Sequence, residues 1–448
     1  MKKIYVQELK SYSKAKILEI LENDEDSFNK LIEFSIIDKQ DYAYQFNYVG
    51  AIIIENLAIY CYPKYIPNKD NIKEDFRQVI RVIKKYKNLH DDLDYQNEEI
   101  TEISFNLLSM MIFFLEDYYE NGLYTNIQNI LEVNGNGEIN WDRTINYTNP
   151  IIKDNKPYYM ELYTKYKIND LLDFFRQLHE YIITKCSKKL EKAGLLELFD
   201  LTPAELSDKT LDDFGNCEFI KYKLEKELNI EFNSHKRKLL KSMHAFISHE
   251  NSFSNQNFIT LYGTSTYHVI WEEICSFIFS NKLYKPLNEL RLSKVLDSKY
   301  FSKPNLISVI KKPKWILKEG KTHWASKSFE PDLVTFYNDE FIILDAKYYK
   351  LKFDEDELSG NPGLGDITKQ YLYQLALEDF RINHGFKSVK NALLFPTYDE
   401  EVVNKGKVKI DILSDLGLEN IQVIMLPVHE VNQMYLENKK MNIKRLNL

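Results

Sequence analysis

The sequence predicts a mixed α+β fold in three parts: an N-terminal β-containing region, a mostly helical middle, and a C-terminal α/β core. Two β-rich runs end at Pro63 in the first part. From about residue 165 to residue 250 the pattern is mostly helical, with Lys and Glu on the polar faces. Helices then alternate with strands to the end of the chain. We therefore predict domains over residues 1–150, 151–254 and 255–448.

Length, composition and charge limit the classes of protein to consider. The 448 residues are enough for two or three domains, and 44% hydrophobic with 28% charged residues is typical of a soluble protein. A net charge of −8 argues against bulk attraction to nucleic acid but not against a site that holds a divalent cation.

The cysteines and the apolar stretches indicate the compartment. Four cysteines lie far apart without a Cys-x-x-Cys pair, so we expect reduced thiols rather than disulfides or a zinc site. No apolar stretch approaches the length of a membrane span, and the N-terminus has no apolar signal region. We expect a cytoplasmic protein with no membrane partner.

The elements of the N-terminal part follow from local patterns. Amphipathic helices are predicted over Ser13–Leu21 and near Phe28–Phe34. The two β-runs that follow read as a hairpin turning at Glu55-Asn56. Helical patterns come next over about 71–87 and 100–121, and a Gly/Asn turn within 131–145 joins short extended pieces.

The C-terminal part begins with a predicted helix over Tyr267–Asn281. A Lys-rich irregular stretch leads to two β-runs separated by Asn338-Asp339, both residue types that tolerate positive φ in a two-residue turn. A Gly/Pro-containing loop, a helix over 366–382, strands at 391–395, 408–413 and 421–426, and a helix over 429–439 complete the core.

The hairpin around Asn338 places two carboxylates face to face. If Tyr337 pairs with Glu340, the register brings Asp332 opposite Asp345, with Cβ atoms about 5 Å apart. Like charges at that distance are unfavourable unless a cation lies between them. A divalent metal bound by two carboxylates, waters and a phosphate fits this arrangement.

Lys347 lies two residues after Asp345 and therefore emerges on the same face of the strand. An ammonium there can orient an attacking water or neutralise charge on a phosphate. An Asp-x-Lys triplet or a Pro-Asp pair alone occurs by chance in many chains. Their register on adjacent strands favours a catalytic site.

Flanking helices offer further candidate groups. Either Glu272 or Glu273 could supply a third acidic group from the helix that starts at Tyr267, although a solvated Glu pair is an equal alternative. In the later helix, which Asp366 is predicted to cap, Gln370 and Tyr373 share a face and could meet a metal-bound phosphate. The alternative is that Tyr373 is a core residue and Gln370 a surface residue.

A lysine-rich stretch at 302–327 precedes the hairpin, with Trp315 and Trp324 interleaved. It is predicted to follow a DNA backbone beside the site, although a solvated loop is the competing interpretation. A second basic patch at 235–241 is predicted to be the exposed face of a helix. The candidate DNA-binding lysines are Lys311, Lys312, Lys314, Lys321 and Lys327.

At these residues the chain resembles the LlaJI family of restriction endonucleases and, more distantly, McrC nuclease subunits, both of the PD-(D/E)XK nuclease type. The resemblance rests on an ordered set of motifs in both halves of the chain. They are Val49-Gly50, Pro63-Lys64-Tyr65, Gly137-Glu138-Ile139, Trp141, Arg143-Thr144-Ile145, Trp271-Glu272, Pro331-Asp332, Asp345-Ala346-Lys347-Tyr348-Tyr349, Asp366-Ile367, Lys369-Gln370 and Tyr373.

The resemblance implies a magnesium-dependent DNA endonuclease, with Mn²⁺ able to substitute. Asp332, Asp345 and Glu272 would be metal ligands, Lys347 the catalytic lysine, and Gln370 and Tyr373 accessory groups. It also implies double-stranded DNA as substrate, products with a 5′-phosphate and a 3′-hydroxyl, and a separate GTP-hydrolysing AAA+ subunit that contacts the N-terminal portion. This chain itself has no G-x-x-x-x-G-K-[ST] phosphate loop.

The chain departs from what a DNA-binding site requires at one loop, and two alternative functions remain open. Residues 352–365 are acidic directly after the lysine, which suggests a lid or an interface element. A repair or recombination nuclease acting on DNA ends or branches is one rival function. A catalytically silent DNA-binding scaffold is another, and homo- or hetero-oligomerisation is left open.

Overall fold

The computed structural model describes residues 1–54, 57–67, 72–90, 107–170, 172–249, 259–353 and 358–448. Within these ranges the strands are β1 (Lys2–Gln7), β2 (Ser11–Tyr12), β3 (Ile37–Gln40), β4 (Ala43–Phe46), β5 (Val49–Ile54), β6 (Leu57–Tyr62), β7 (Ile127–Val133), β8 (Glu138–Ile139), β9 (Ile151–Lys153), β10 (Lys156–Tyr158), β11 (Tyr163–Asn169), β12 (Ile259–Thr264), β13 (Lys314–Ile316), β14 (Thr322–Trp324), β15 (Leu333–Tyr337), β16 (Glu340–Ala346), β17 (Lys352–Phe353), β18 (Leu358–Ser359), β19 (Ser388–Thr397), β20 (Val403–Val408) and β21 (Ile421–Pro427).

The α-helices of the same ranges are α1 (Lys14–Ile20), α2 (Glu25–Glu33), α3 (Lys73–His90), α4 (Leu107–Asn121), α5 (Trp141–Tyr147), α6 (Phe174–Ala193), α7 (Cys217–Ile230), α8 (Ser234–His249), α9 (Tyr267–Ile278), α10 (Leu364–Asn383), α11 (Asp411–Asp415) and α12 (Val428–Leu436). Strands and helices together make a mixed α+β fold, as predicted. None of the helices in the described ranges has the length and apolar character needed to cross a membrane.

Contacts group the chain into two compact units. One consists mainly of Phe105–Leu261, and the other of Lys2–Ile53, Leu57–Ser104 and Tyr262–Leu448. The N-terminal strands therefore belong to the same unit as the C-terminal α/β core. The predicted division at residues 150 and 254 stays a prediction about independently folding segments, and residue 254 lies outside the described residues.

The unit around residues 105–261 is mostly helical. Helix α4 packs on α6 and α7 packs on α8, while β7, β11 and β8 form a three-stranded sheet. Two local predictions were wrong here. The chain is extended over Tyr163–Asn169, so the helical pattern begins only at Phe174. Residues 141–147 form a helix rather than an extended piece. The Asn140 side chain stabilises the start of this helix as its N-cap, because it accepts a hydrogen bond from the Arg143 N–H.

The N-terminal strands of the other unit form a sheet in the order β1-β6-β5-β12, with β1 parallel to β6. Gly50 explains part of this arrangement. Its φ is 145°, and a Cβ there would lie 2.2 Å from the Tyr262 carbonyl oxygen, so only glycine permits the close approach of the two backbones. The helix predicted over Ser13–Leu21 is α1, and the Ser13 side chain caps it by accepting a hydrogen bond from the Lys16 N–H. The predicted turn at 55–56 lies outside the described residues.

The C-terminal core is a five-stranded sheet in the order β15-β16-β19-β21-β20. Strands β16, β19 and β21 are parallel, and β15 and β20 are antiparallel at the two edges. Helix α10 covers one face, with Tyr373, Leu377 and Phe380 packed against Phe341 and Ile343 of β16. Because side chains alternate along a strand, Asp345 projects to this same face, at the carboxyl end of β16.

Two predicted boundaries in the core were wrong. The strand predicted at 408–413 ends at Val408, and Asp411–Asp415 is a short helix. Helix α10 begins at Leu364 with Gly363 as its N-cap, so Asp366 lies in the first turn rather than at the cap. An acidic side chain is favourable in either position, because both lie at the positive end of the helix dipole, and this explains why the pattern misleads.

Candidate catalytic site

The β15–β16 hairpin has the register that its sequence predicts. Tyr337 pairs with Glu340 across the Asn338-Asp339 turn, and Leu333 pairs with Leu344 at the other end. Asn338 has φ 52°, a left-handed conformation that asparagine tolerates better than most residues. The next position after the Leu333–Leu344 pair brings Asp332 and Asp345 together.

Asp332, which is half-buried, and Asp345, which is buried, form a pair of like charge. Asp345 is 4% exposed, and Asp332 Oδ2 accepts a hydrogen bond of 2.8 Å from the Ala346 N–H. Burial and the neighbouring Asp345 raise the pKa of Asp332 well above its usual value. Burial also raises the pKa of Asp345. Ionisation of both carboxyl groups together is therefore unfavourable in the absence of a bound cation.

Lys347 supplies a single positive charge on this face. Its Nζ lies 2.7 Å from Asp345 Oδ2 and 3.7 Å from Asp366 Oδ1. Burial alone would lower the pKa of Lys347, but Asp345, with Asp366 and Asp332, raises it above its usual value. Lys347 is therefore a permanent cation at the edge of the carboxylate pair. Sequence reasoning treated Asp366 only as a helix cap and missed this contact.

Of the two candidate acids on α9, the structure brings Glu272 to the pair. Burial and the Asp345 charge raise the pKa of Glu272, while Lys347 lowers it. Glu273 instead interacts with Tyr435 and Lys440. Within the described ranges, no group of three or more His, Cys, Asp or Glu side chains is close enough to hold a metal ion. The Asp332–Asp345 pair is thus the centre of the acidic cluster, with Glu272 at its margin.

Gln370 and Tyr373 occupy different environments on α10. Burial raises the pKa of Tyr373 to about 12, and the charges of Asp345 and Asp332 add to this effect. Tyr373 therefore lies beside the carboxylates and keeps its proton. Gln370 is fully buried, and its Nε2 donates to Asn391 Oδ1 at 2.6 Å on the neighbouring strand. The alternative that Gln370 is a surface residue was wrong.

Two asparagines missed by sequence reasoning position the site. Asn281 follows α9, donates from Nδ2 to the Asp332 carbonyl oxygen at 3.0 Å and accepts from the Val334 N–H at 3.1 Å. It therefore fixes the backbone on both sides of Leu333. Asn391 donates to the Gln370 carbonyl oxygen at 3.2 Å. No local pattern marks either residue, because both act across contacts distant in sequence.

The lysine-rich stretch lies on an exposed surface beside the hairpin. Strands β13 and β14 pair antiparallel, with Trp315 67% and Trp324 63% exposed. In the described part of the chain, none of the five candidate DNA-binding lysines has a carboxylate oxygen within 4 Å. A cavity of about 560 Å³ adjoins this stretch, and the residues that line it include Lys303, Lys311, Lys312, Trp324, Lys327, Phe329 and Glu330. Asp354, Glu355, Asp356 and Glu357 of the acidic loop lie outside the described residues.

Comparison with known proteins assigns the class. The model of the LlaJI restriction endonuclease family matches residues 48–432, which is most of the chain. The protein is thus a restriction endonuclease. It belongs to the LlaJI family, as its motifs indicated, and is a nuclease of a restriction system.

Individual relatives agree with the family. The chain is 28% identical over 407 residues to the type II restriction enzyme BsuMI component YdjA of Bacillus subtilis (strain 168), covering 88% of this chain and 81% of that protein. A refined half-complex of Thermococcus gammatolerans McrB AAA+ hexamers with bound McrC matches with a TM-score of 0.41 and 12% identity, over 98% of this chain and 99% of that one. The McrBC complex of the same organism matches with a TM-score of 0.24 and 11% identity, over 58% of this chain and 83% of that one. At these TM-scores the two structural likenesses support no conclusion about this chain.

Proposed function

We propose that this chain is the DNA-cleaving subunit of its restriction system and hydrolyses phosphodiester bonds of double-stranded DNA with Mg²⁺. One observation carries the proposal. Asp332 and Asp345 face each other at the end of a buried hairpin, with the Lys347 ammonium 2.7 Å from Asp345. Two facing carboxylates that are largely shielded from water are costly to a fold unless a cation binds there.

The donor set fits a hard divalent cation. Carboxylate oxygens are the ligands that Mg²⁺ prefers, and it commonly retains several waters beside one or two carboxylates and a substrate phosphate. Asp332 and Asp345 would hold the ion, with Glu272 as a third acidic group near it. When bound, Mg²⁺ would polarise the phosphodiester and favour ionisation of the attacking water.

Two residues of the chain would act on the phosphate directly. Lys347 remains charged and lies on the carboxylate face, so it would orient the water or neutralise charge that develops on the phosphate. Tyr373 keeps its hydroxyl proton at neutral pH, since its pKa is raised to about 12, and would donate a hydrogen bond to a phosphate oxygen. Gln370 would contribute through its contact with Asn391, by fixing α10 against the sheet.

The reaction exchanges one ester bond for one bond to water. A bond forms between the water oxygen and phosphorus, and the bond between phosphorus and the 3′ oxygen breaks. The water loses a proton and the leaving 3′ oxygen gains one, which leaves a 5′-phosphate and a 3′-hydroxyl. Mn²⁺ is expected to replace Mg²⁺, because carboxylate and water ligands suit both ions.

The exposed lysines would hold the DNA backbone beside the site. Lys311 and Lys312 line the cavity. Lys314 of β13 lies 5.5 Å above the ring of Trp324, its partner on β14. Lysines without carboxylate neighbours are available to phosphates, and exposed indole rings can stack on unpaired bases. Lys321 and Lys327 would extend the same surface.

We further propose that cleavage depends on a separate GTP-hydrolysing AAA+ subunit. The resemblance of the motifs supports this, as does the absence of a phosphate loop from the sequence. The Bacillus relative is named as a component of a type II restriction enzyme, and we propose that this chain is likewise one component of a larger enzyme.

The experiment is cleavage of plasmid and phage DNA by the purified chain, with Mg²⁺, with Mn²⁺ and with a chelator. Each reaction is run alone and with the candidate GTPase subunit and GTP. We expect metal-dependent cutting and ligatable 5′-phosphate ends. A requirement for the partner and GTP would support the two-component system. Equal cutting with and without them would contradict it, and cutting only at DNA ends or branches would favour a repair nuclease.

A further inference from the structure

A buried hydrogen-bond network joins the N-terminal strands to the residue that follows Lys347. The Tyr348 hydroxyl donates to Glu8 Oε2 at 2.5 Å, and the same oxygen accepts the Lys64 N–H at 3.0 Å. Glu8 follows β1 and Lys64 follows β6 after Pro63. Because β1 and β6 are parallel, their carboxyl ends lie at one edge of the sheet, and this brings the two residues together.

Three tyrosine rings pack around this hydrogen bond. Tyr348 contacts Tyr65 edge-on, with centroids 6.0 Å apart, and Tyr267 at 5.3 Å. The hydroxyls of Tyr65 and Tyr267 are 3.2 Å apart, and Lys64 Nζ lies 4.1 Å above the Tyr348 ring. All three rings are less than 9% exposed, so Tyr348 is held on its faces and at its tip.

Glu8 is suited to an anchoring role rather than to chemistry. It is 7% exposed, and burial raises the pKa of its carboxyl, while the Tyr348 hydroxyl and the Lys64 charge oppose that rise. Its bonded oxygen already accepts two hydrogen bonds. A buried acceptor with satisfied partners holds them firmly, because breaking either bond leaves a buried polar group unpaired.

The network fixes two elements of the candidate site at once. The Lys347 N–H donates to the Leu394 carbonyl oxygen at 2.8 Å, and the next residue is Tyr348, so the backbone is held on both sides of the Lys347 side chain. Tyr267 is the first residue of α9, which carries Glu272. One cluster thus sets where β16 ends and where α9 begins.

We propose that Glu8, Lys64 and Tyr348 are positioning residues that hold Lys347 against Asp345 for DNA cleavage. This inference rests on the proposed nuclease function. It also gives a physical role to the Pro63-Lys64-Tyr65 motif, which lies more than 280 residues before Lys347 in sequence. A displacement of a catalytic group by about 1 Å can cost about a hundredfold in rate, so a remote anchor can control catalysis.

The test compares Tyr348→Phe, Glu8→Ala and Glu8→Gln with the wild type in the full chain. We expect Tyr348→Phe and Glu8→Ala to lower kcat by about tenfold with little change in KM for DNA. Glu8→Gln keeps a carbonyl acceptor and should restore most of the kcat lost in Glu8→Ala. Tyr371→Phe is the matched control, since it removes another buried tyrosine hydroxyl, on α10, that donates to the Val408 carbonyl oxygen and accepts from the Ile410 N–H.

A second readout does not depend on cleavage. Acetylation of Lys347 is followed by mass spectrometry, with the exposed Lys405 as reference. We expect faster acetylation of Lys347 in Tyr348→Phe and Glu8→Ala, but not in Tyr371→Phe, because the lysine is no longer held in its ion pair. Wild-type kcat in Tyr348→Phe, or a loss no larger than in Tyr371→Phe, would overturn the inference.

The acetylation readout separates the inference from the proposed function. If the wild type cuts no DNA, the nuclease proposal fails, and the acetylation rates alone decide whether Glu8 and Tyr348 position Lys347. Unchanged acetylation in folded Tyr348→Phe and Glu8→Ala would then exclude that role.

Discussion

At the scale of single residues, Asp332 is in conflict with its surroundings. Burial and Asp345 both disfavour its charged form, and Lys347 offsets only part of that penalty. The Ala346 N–H stabilises the carboxylate with one hydrogen bond of 2.8 Å. A carboxyl group whose charged form is disfavoured by its surroundings, and which we propose as a metal ligand, has the properties expected of a functional site.

The conflict predicts a stability gain in Asp332→Asn. The folded pKa of Asp332 is raised, so the folded state binds its proton more tightly than the unfolded chain does. The stability that depends on this proton is present below about pH 4, the usual Asp value, and is lost as the pH rises toward the folded pKa. Asn cannot ionise and escapes that loss. In metal-free buffer at neutral pH we expect the thermal unfolding midpoint of Asp332→Asn to lie about 2–4 °C above that of the wild type.

The measurement is thermal unfolding of both proteins between about pH 5 and about pH 8. The difference in midpoint between variant and wild type should grow as the pH rises. Added Mg²⁺ should raise the wild-type midpoint and reduce the difference. A difference that stays constant with pH would mean that the Asp332 carboxyl is not destabilised by ionisation.

At the scale of elements, the β15–β16 hairpin determines the register of the carboxylates. Its two-residue turn leaves Asn338 at φ 52°, where a β-branched side chain is strained. We expect Asn338→Val to destabilise this unit by about 1–3 kcal/mol, seen as a lower urea midpoint. Asn338→Gly should remain close to wild type, because glycine reaches positive φ freely. Equal midpoints for the Val and Gly variants would show that the turn is not under this constraint.

The lysine-rich stretch makes a prediction about salt. Replacing Lys311 and Lys312 with Ala should weaken DNA binding and reduce the slope of log K against log[salt] by about 2, since each phosphate contact contributes about 0.9. Lys405→Ala with Lys407→Ala is the matched control. Both are exposed lysines on β20, which lies at the edge of the five-stranded sheet opposite to β15. If the control pair changed the slope as much, the effect would come from the net charge of the protein rather than from contacts of Lys311 and Lys312 with DNA phosphates.

At the scale of the whole molecule, sequence reasoning succeeded where the determinants are local. Hairpin register follows from the Asn338-Asp339 turn and from strand alternation, so the pairing of Asp332 with Asp345 could be predicted from the sequence. The start of α10 was misplaced by two residues, because Gly363 gives little local signal as a cap. The prediction of a strand at 408–413 was wrong because a short helix begins directly after Ile410.

Contacts between distant segments could not be predicted. Asn281, Asn391 and Glu8 each act on residues that are far away in sequence, and no periodicity marks them. Long-range contacts also assign β1, most of β5 and β6 to the same compact unit as the C-terminal α/β core, and the sequence gives no local sign of this. Motif resemblance pointed to Lys64 and Tyr65, but only the fold shows that they surround Tyr348.

Plasmid cleavage by Asp345→Asn, beside Asp339→Asn and the wild type, tests the central claim most directly. Asp339 lies in the turn of the same hairpin and pairs with Lys387 at 2.6 Å, away from the carboxylate pair, so its variant controls for the loss of one acidic group. We predict that Asp345→Asn loses more than about a hundredfold in Mg²⁺-dependent cleavage, since losing even an outer-shell partner of a metal site costs about 10–100-fold. Asp339→Asn should cut normally. Undiminished cutting by folded Asp345→Asn would contradict the account and place the catalytic centre elsewhere.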